Sequence, residues 1–359
     1  MIVTSFFHSP EKFLKKEQNG QNSELDARTY LSFEDALWDL LENKKVPKES
    51  TILLPDFYCN DVAQNIQNHA YKIEYYELDD NFLCSFELLE EEVMRIKPSV
   101  VVILHVLGIL NPIAAQSDKI KTLSANTIVI EDAVHRYNVL SDVQIYSKNH
   151  FLIDSRRKVT PFHGSTIYGA KGTLQWPCSN ADTNFLLKWY IVFLFWLFQM
   201  VLSVGVRFKS MLVIKIADKL IDYHDEFIGD NKKSLSRVIY YDSLWDRVDF
   251  EKIFKVKNKH ITMYESLKKD LSHRKNIRVI TYTEDNKEQL RGFPIAVNAS
   301  YADEFDRYLL ANNIFLFRHL QDNRWSKKRG EVVYFLPAGV QVNELEVSHV
   351  ISCLGQVAK

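Results

Sequence analysis

Apolar residues gather along this chain first in short runs and then in one long one. Thr51 to Leu54, Ile73 to Leu78, Val100 to His105 and Thr127 to Ile130 are short and rich in β-branched side chains, which predicts strands. Between them Asp61 to His69, Glu87 to Ile96 and Ala115 to Leu123 are able to form helices. Alternation of this kind predicts an α/β fold with a mostly parallel central sheet. Ligands of such sheets sit beyond the carboxyl ends of the strands. The segments to watch are therefore Pro55 to Cys59, His105 to Gly108, Asp132 to His135 and Asp154 to Lys158.

After a long apolar, then amphipathic, stretch from Asn184 to about Tyr223, the texture changes again. Phe250 to Leu271 predicts a lysine-rich helix, Ile277 to Tyr282 and Phe293 to Val297 strands, Ala302 to Asn312 a helix, Val332 to Leu336 a strand and Asn343 to Leu354 a closing helix. That is a smaller α+β domain. We expect a large domain over 1–230, including the apolar segment at 184–223, and a small C-terminal domain over 231–359. No internal repeat or low-complexity linker marks the boundary between them.

Composition removes several function classes. The chain has 359 residues, 46% of them hydrophobic, enough for a large core. Lys and Arg number 45 against 46 Asp and Glu, so no global charge favours nucleic acid. Cys59, Cys84, Cys178 and Cys353 have no metal-site or disulfide-scaffold spacing; no metal is expected, and reduced thiols fit a cytoplasmic setting. Met1 to Lys16 has no basic-then-apolar leader pattern, so no secretion signal is expected.

Two strand ends carry the chemistry. Ile128-Val129-Ile130-Glu131-Asp132 places an acid at the end of one apolar run, and Phe151-Leu152-Ile153-Asp154-Ser155-Arg156-Arg157-Lys158 places a lysine just past the next. This is the pair a pyridoxal phosphate enzyme needs: an amine to form a Schiff base with the cofactor aldehyde, and a carboxylate to keep the ring nitrogen protonated. Each residue also has a plainer reading. Lys158 could be a solvated residue after a strand, Asp132 a helix N-cap, His105 and His135 core histidines, Ser155 a turn residue, and Cys59 a small buried apolar group.

The motifs resemble those of the DegT-like sugar aminotransferases, within the aspartate aminotransferase fold. Leu54-Pro55-Asp56-Phe57-Tyr58-Cys59 is similar to the family's strand-to-turn element, and His105-Val106-Leu107-Gly108 to its His-x-x-Gly pattern. Glu131-Asp132-Ala133-Val134-His135 and Ser155-Arg156-Arg157-Lys158 resemble its acid and lysine elements. Gly292-Phe293-Pro294-Ile295, Leu309 to Ile314 and Leu336-Pro337 look like small-domain landmarks. The resemblance implies pyridoxal 5'-phosphate as cofactor and Lys158 as the residue that holds it and shuttles the proton. It further implies Asp132 at the pyridinium nitrogen, His135 beside the ring oxygen or behind Asp132, Ser155 at the phosphate, and Phe57 to Cys59 at the ring face. His105 joins the cofactor set, and Arg318 and His319 are candidate substrate contacts.

Two elements depart from the family pattern. Leu31-Ser32-Phe33-Glu34-Asp35-Ala36-Leu37 stands where a glycine-containing turn usually opens the phosphate-binding helix, and its acids oppose a phosphate dianion. His163-Gly164-Ser165 replaces the usual Gly-Gly, and Arg156 and Arg157 are the side chains available to compensate.

The run from Trp189 to Val206 has Gln199 as its only strongly polar member, with Lys188 before it and Arg207 and Lys209 after. Length and composition make it a candidate transmembrane helix. A single crossing would separate two domains that must share one cofactor, and Met211 to Ala217 is too short a run to bring the chain back. Three readings stay open: a buried core or homodimer-interface helix, a helix lying in a membrane surface, and a span.

The expectation is therefore a cytoplasmic homodimeric enzyme that moves an amino group from an amino acid donor to a keto group of a nucleotide-linked sugar, with membrane association among the readings of 189–206. Cell-surface polysaccharide biosynthesis is the setting the resemblance implies. The rival expectation is a catalytically degenerate homologue acting as a membrane- or partner-binding protein.

Overall fold

The computed structural model describes residues 2–3, 25–136, 143–160, 162–176, 185–229 and 247–357. Its strands are β1 (Ile2–Val3), β2 (Leu25–Tyr30), β3 (Thr51–Pro55), β4 (Lys72–Tyr76), β5 (Val100–Leu104), β6 (Ile128–Asp132), β7 (His150–Ile153) and β8 (Ser165–Ala170), then β9 (Ile277–Val279), β10 (Phe293–Asn298), β11 (Ile314–Phe315) and β12 (Glu331–Leu336). Helices α1 (Phe33–Asn43), α2 (Asn60–Asn68), α3 (Phe86–Ile96) and α4 (Ser117–Ser124) lie among the first strands; α5 (Phe185–Arg207) and α6 (Met211–Gly229) follow. The last are α7 (Phe250–Tyr264), α8 (Ser266–Leu271), α9 (Ala299–Ala311), α10 (Arg324–Arg329) and α11 (Glu344–Gln356).

A seven-stranded sheet in the order β2-β8-β7-β6-β5-β3-β4 forms the centre. Every pair from β7 through β4 is parallel, and β8 runs antiparallel between β7 and β2. β5 reads Val-Val-Val-Ile-Leu and is buried throughout, as befits a strand covered on both faces. The parallel register matters for chemistry, because it aligns Leu104, Asp132 and Ile153 at one end of the sheet. The second sheet, β12-β10-β9, is antiparallel.

The mostly parallel sheet agrees with the sequence pattern. β2 and β8 were not foreseen; β2, Leu-Asp-Ala-Arg-Thr-Tyr, is a half-buried edge strand whose polar residues hide any apolar run. The single helix expected from Phe250 to Leu271 breaks at Glu265 into α7 and α8. The domain boundary expected near 230 lies outside the described residues, as does Cys178.

At Gly108 the loop after β5 touches the later part of the chain. A Cβ there would lie 2.0 Å from the carbonyl oxygen of Gln289, and φ is +87°, so only glycine allows this approach. The amide of Arg291 donates to the Leu107 carbonyl at 2.8 Å beside it.

α5 and α6 form an antiparallel hairpin. Gly205 lets them close near the turn, where a Cβ would meet Ile214 at 2.9 Å, and Tyr190 stacks edge-on with Phe227 at the other end. The apolar run Met211 to Ala217, read as too short to return the chain, is the first part of this 19-residue helix. One face of the hairpin is buried: Phe195, Phe198, Leu202 and Ile214 pack with Phe315 and Phe317, and Ile191 and Ile228 with Leu31. Neither a wholly buried helix nor a free one describes α5.

Candidate active site

The chain direction of β6 sorts its last two acids onto opposite faces, because alternate side chains in a strand point apart. Glu131 faces inward. Its carboxylate accepts from Nε2 of His105 at 2.9 Å and from Nε2 of His150 at 2.7 Å. Both rings take a backbone N–H at Nδ1, from Asn111 and Tyr146, which fixes the ring protons on Nε2. Burial raises the Glu131 value, but the two histidine bonds outweigh it and hold the group at about 2. His105, expected among the cofactor residues, is thus a core histidine anchoring β5 to β6.

Asp132 faces the other way, into a cavity lined by Phe33, Glu34, Tyr58, Cys59, Asp61, Val62, Leu104, Val134, His135, Ser155, Arg157, Lys158, Asp225 and Leu320 besides Asp132 itself. Its carboxylate accepts the Tyr58 hydroxyl at 3.0 Å and the Val134 amide at 3.2 Å. Burial nevertheless pushes it up to about 7. The cap-like bond to Val134 agrees with the plainer reading of Asp132, and the cavity-facing carboxylate with the chemical one; the residue does both.

Lys158 closes a 3-10 turn, Arg156–Lys158, that follows β7. The turn is held by the amide of Arg156 on the Gly164 carbonyl at 2.8 Å and that of Thr160 on the Arg156 carbonyl at 2.8 Å. Its ammonium lies 3.7 Å from Asp225, with the side chain 32% exposed at the cavity. Burial and then the neighbouring Arg157 lower its value, while Asp225 works in the opposite sense. It is not a solvated surface lysine.

Asp225, on α6, was not foreseen. It pairs with Arg157 at 2.8 Å as well as with Lys158. Burial favours its neutral form, yet Arg157, Lys158 and His224 together hold it ionised far below the usual range. His224 sits 2.8 Å from Asp225 and 3.2 Å from His163, whose Nδ1 donates to the Leu31 carbonyl at 2.7 Å. The hairpin is thereby tied to the segment that starts α1.

That segment supplies the facing wall. Ser32 caps α1, its Oγ accepting from the Asp35 amide at 3.1 Å, and Asp35 is turned back onto Ser32. Phe33 and Glu34 line the cavity. Glu34 takes the Asn65 side-chain amide at 2.8 Å, and burial pushes it up to about 7. On α2 the N-cap is Cys59, which makes no side-chain cap bond.

The remaining expected site residues divide. His135 and Ser155 line the cavity with Asp132, Lys158 and Cys59. Phe57 does not: it is fully buried, packed at 4.6 Å on Phe82 and edge-on to Trp325 at 5.5 Å. Its neighbours Tyr58 and Cys59 line the cavity instead. His319 lies behind His135, ring centroids 4.6 Å apart. His135 Nδ1 and His319 Nε2 are buried and have no hydrogen-bond partner among the described residues. Arg318 points away, to Asp303 and Asp306, and lines a different depression with Lys215.

No protein-family model matches the sequence, and no curated protein sequence matches it. Solved structures do. The chain is similar to the sugar aminotransferase CalS13 from Micromonospora echinospora, at 12% identity and a TM-score of 0.58 over 92% of this chain and 87% of that one. NtdA from Bacillus subtilis, solved with bound cofactor PMP, aligns at 14% identity and 0.62 over 91% and 72%. A DegT DnrJ EryC1 StrS aminotransferase from Brucella abortus aligns at 14% and 0.59 over 93% and 86%. At these identities the likeness is one of architecture, and it covers nearly the whole chain: this protein has the fold of the DegT-type sugar aminotransferases.

Proposed function

We propose that the chain is an aminotransferase that uses pyridoxal 5'-phosphate to move an amino group from an amino acid donor to a keto group of a nucleotide-linked sugar. One observation carries this reading: the Lys158 amine and the buried Asp132 carboxylate open into the same cavity, which His135 also lines. The solved neighbours of the same fold, one of them carrying PMP, support the cofactor and the reaction class.

The residues fit the cofactor at its ring end. His135 Nδ1 is buried without a hydrogen-bond partner among the described residues, an arrangement a ligand atom would relieve. Asp132, held up to about 7 by burial, would be ionised by a cationic ring nitrogen beside it. Tyr58 and the Val134 amide keep that carboxylate oriented. Cys59 would lie at the ring face, and Ser155 and Arg157 are the side chains that would meet the phosphate.

When bound, the cofactor supplies an electron sink that makes the proton on the amino-bearing carbon of the substrate removable. Lys158 is the base placed to take that proton and return it. Burial and Arg157 lower its value, which raises the neutral fraction available for both attachment and proton transfer. Asp225 pairs with the Lys158 amine, and the apolar lining from Phe33, Val62, Leu104 and Leu320 limits water at the reacting carbon.

The finer parts of the reading rest on the family resemblance. These are the amino acid donor, the nucleotide-linked acceptor and a homodimer; a cytoplasmic setting rests on the cysteine pattern, and a large domain over 1–230 joined to a small one over 231–359 on the change of texture along the chain. The test of the core is direct. Purified chain incubated with pyridoxal phosphate is expected to turn yellow, and borohydride is expected to fix a pyridoxyl group on the peptide containing Lys158. A chain that stays colourless and unlabelled overturns the reading. Amino transfer from glutamate to a panel of keto sugars then separates this reaction from other chemistry on the same cofactor.

A further inference from the structure

The α5–α6 hairpin has a second face that the fold leaves uncovered. Along α5 the outward positions are Trp189, Phe193, Trp196, Met200 and Val204, between 45% and 51% exposed. Their spacing of three and four residues makes one continuous stripe. The stripe runs over the turn through Phe208 and Leu212, 72% and 71% exposed, and returns on α6 through Ile216 and Tyr223. The stripe from Trp189 to Val204 is about 22 Å long, at a rise of about 1.5 Å per residue. α5 is the one helix among the described residues long and apolar enough to cross a membrane, yet the hairpin's other face is committed to packing on Leu31, Phe315 and Phe317. That geometry suits lying on a surface rather than passing through it.

Charge decides what the surface is. The chain carries no carboxylate between Asp182 and Asp218; Arg207 and Lys209 sit at the turn of the hairpin, Lys219 lies farther along α6, and Lys215 shares a depression with Asp303 and Asp306. All four cations are exposed, and Arg207 and Lys209 directly flank Phe208. Interfaces between proteins deplete lysine at their centres. In a two-fold contact the face would meet itself, and Asp218 and Asp222 are the only acids of 189–223 it could set against those cations. Anionic lipid headgroups satisfy Arg207, Lys209 and Lys219, with tryptophans and tyrosines at headgroup depth.

We propose that the α5–α6 hairpin seats this chain on the surface of an anionic bilayer, with Phe208 and Leu212 inserted at the turn and the Trp189 to Val204 stripe lying in the interface. This goes beyond the proposed reaction and does not depend on it. It also sets the cavity close to the membrane, because the same α6 supplies Asp225 to the cavity wall.

Cosedimentation of the full chain with vesicles tests the proposal. Vesicles of phosphatidylcholine with added phosphatidylglycerol are expected to pellet the chain, and added salt to release it. Vesicles of phosphatidylcholine alone are expected to pellet much less. Phe208→Asp with Leu212→Asp, exposed positions whose change leaves the core untouched, is expected to weaken binding on the order of tenfold per residue. Arg207→Glu with Lys209→Glu is expected to abolish the preference for the anionic vesicles. Circular dichroism of each variant confirms that it is folded. A chain that ignores both vesicle types, or pellets equally with both, overturns the proposal. So does a stable dimer, seen by light scattering, that Phe193→Asp and Trp196→Asp split, since a second copy would then own the face.

Discussion

The cavity has two walls built by different means. One is the carboxyl edge of the parallel sheet, where β6 and β7 deliver Asp132 and the turn carrying Ser155 and Lys158. The other is helical: the first turn of α1 with Phe33 and Glu34, and α6 with Asp225. In the strand wall, position follows from register, and each functional side chain sits within a few residues of a short apolar run. In the helical wall, position follows from packing between segments nearly two hundred residues apart. On the proposed reading the strand wall would hold the cofactor, whereas the helical wall sets two carboxylates, Glu34 and Asp225, beside the phosphate that Ser155 and Arg157 would meet. The anion-binding end would then be rebuilt relative to the family pattern.

Changes to the strand wall should have the largest effects. Lys158→Ala is expected to remove borohydride-fixed pyridoxyl label from the 158 peptide entirely, while a melting curve shows the chain still folded. Asp132→Asn is expected to cut the turnover of an amino acid donor on the order of 10²-fold or more, the scale seen when one preorganised charge partner of a transition state is lost. If Asp132→Asn left turnover intact, the ring nitrogen would not lie at β6, and the contrast between the walls would collapse.

Asp132 also leaves a signature in stability. Burial holds it at about 7 in the folded chain, above its unfolded value, so the folded chain binds more protons between roughly pH 4 and pH 7. Stability from this group is fully present below the unfolded value and lost as pH rises through the folded one. Thermal melts of the cofactor-free chain should therefore fall over that window, and Asp132→Asn should flatten the fall by up to about 4 kcal/mol, three shifted units at about 1.4 each. Glu34, raised to about 7 as well, and Asp56, Asp154 and Asp218, raised to about 6, contribute to the part that remains. A profile identical in wild type and variant would mean that Asp132 is ionised without any ligand.

On the helical wall, Asp225→Asn tests whether the hairpin tunes the lysine. Asp225 works to raise the Lys158 value, against burial and Arg157. Its removal should lower that value further, increase the neutral amine near pH 7, and speed pyridoxyl labelling several-fold. Stability should drop by about 1–3 kcal/mol, because Arg157 and Lys158 lose a part-buried partner. Slower labelling would mean that Asp225 acts by orienting the amine rather than by setting its charge.

The same division explains what could be read from the chain beforehand. Asp132, His135, Ser155 and Lys158 were legible because a parallel strand announces its own end, and the cavity forms at those ends. Phe57 was read into the site with the rest of the Phe57 to Cys59 turn, because the sequence does not say which residues of a turn face in. Arg318 and His319 were grouped as neighbours although they point apart, one to Asp303 and Asp306 and the other to His135. Asp225 gave only a weak local signal, one of four acids on a helix with two lysines; its role depends on α6 folding back along α5. The apolar segment was recognised by composition, but its two-faced burial needed the hairpin.

Glu34→Gln gives the finest test of the rebuilt end. Burial, relieved in part by the Asn65 amide, holds Glu34 near 7, with Arg157, Asp225 and Lys158 as the charges it feels. A phosphate dianion entering this wall would favour the protonated carboxyl, so affinity for pyridoxal phosphate should weaken as pH rises through about 7. Pyridoxal, which lacks the phosphate, should show little of this dependence. The substitution removes a charge worth on the order of tenfold at short range in a partly screened site. The affinity ratio of pyridoxal phosphate to pyridoxal should therefore rise about tenfold at about pH 8 and barely change at about pH 6. Calorimetric titration of both ligands at the two pH values reads it. An unchanged ratio at the higher pH would place the phosphate away from α1, toward the Cys59-capped start of α2, and would make the acids of α1 an ordinary helix cap rather than a mark of altered anion binding.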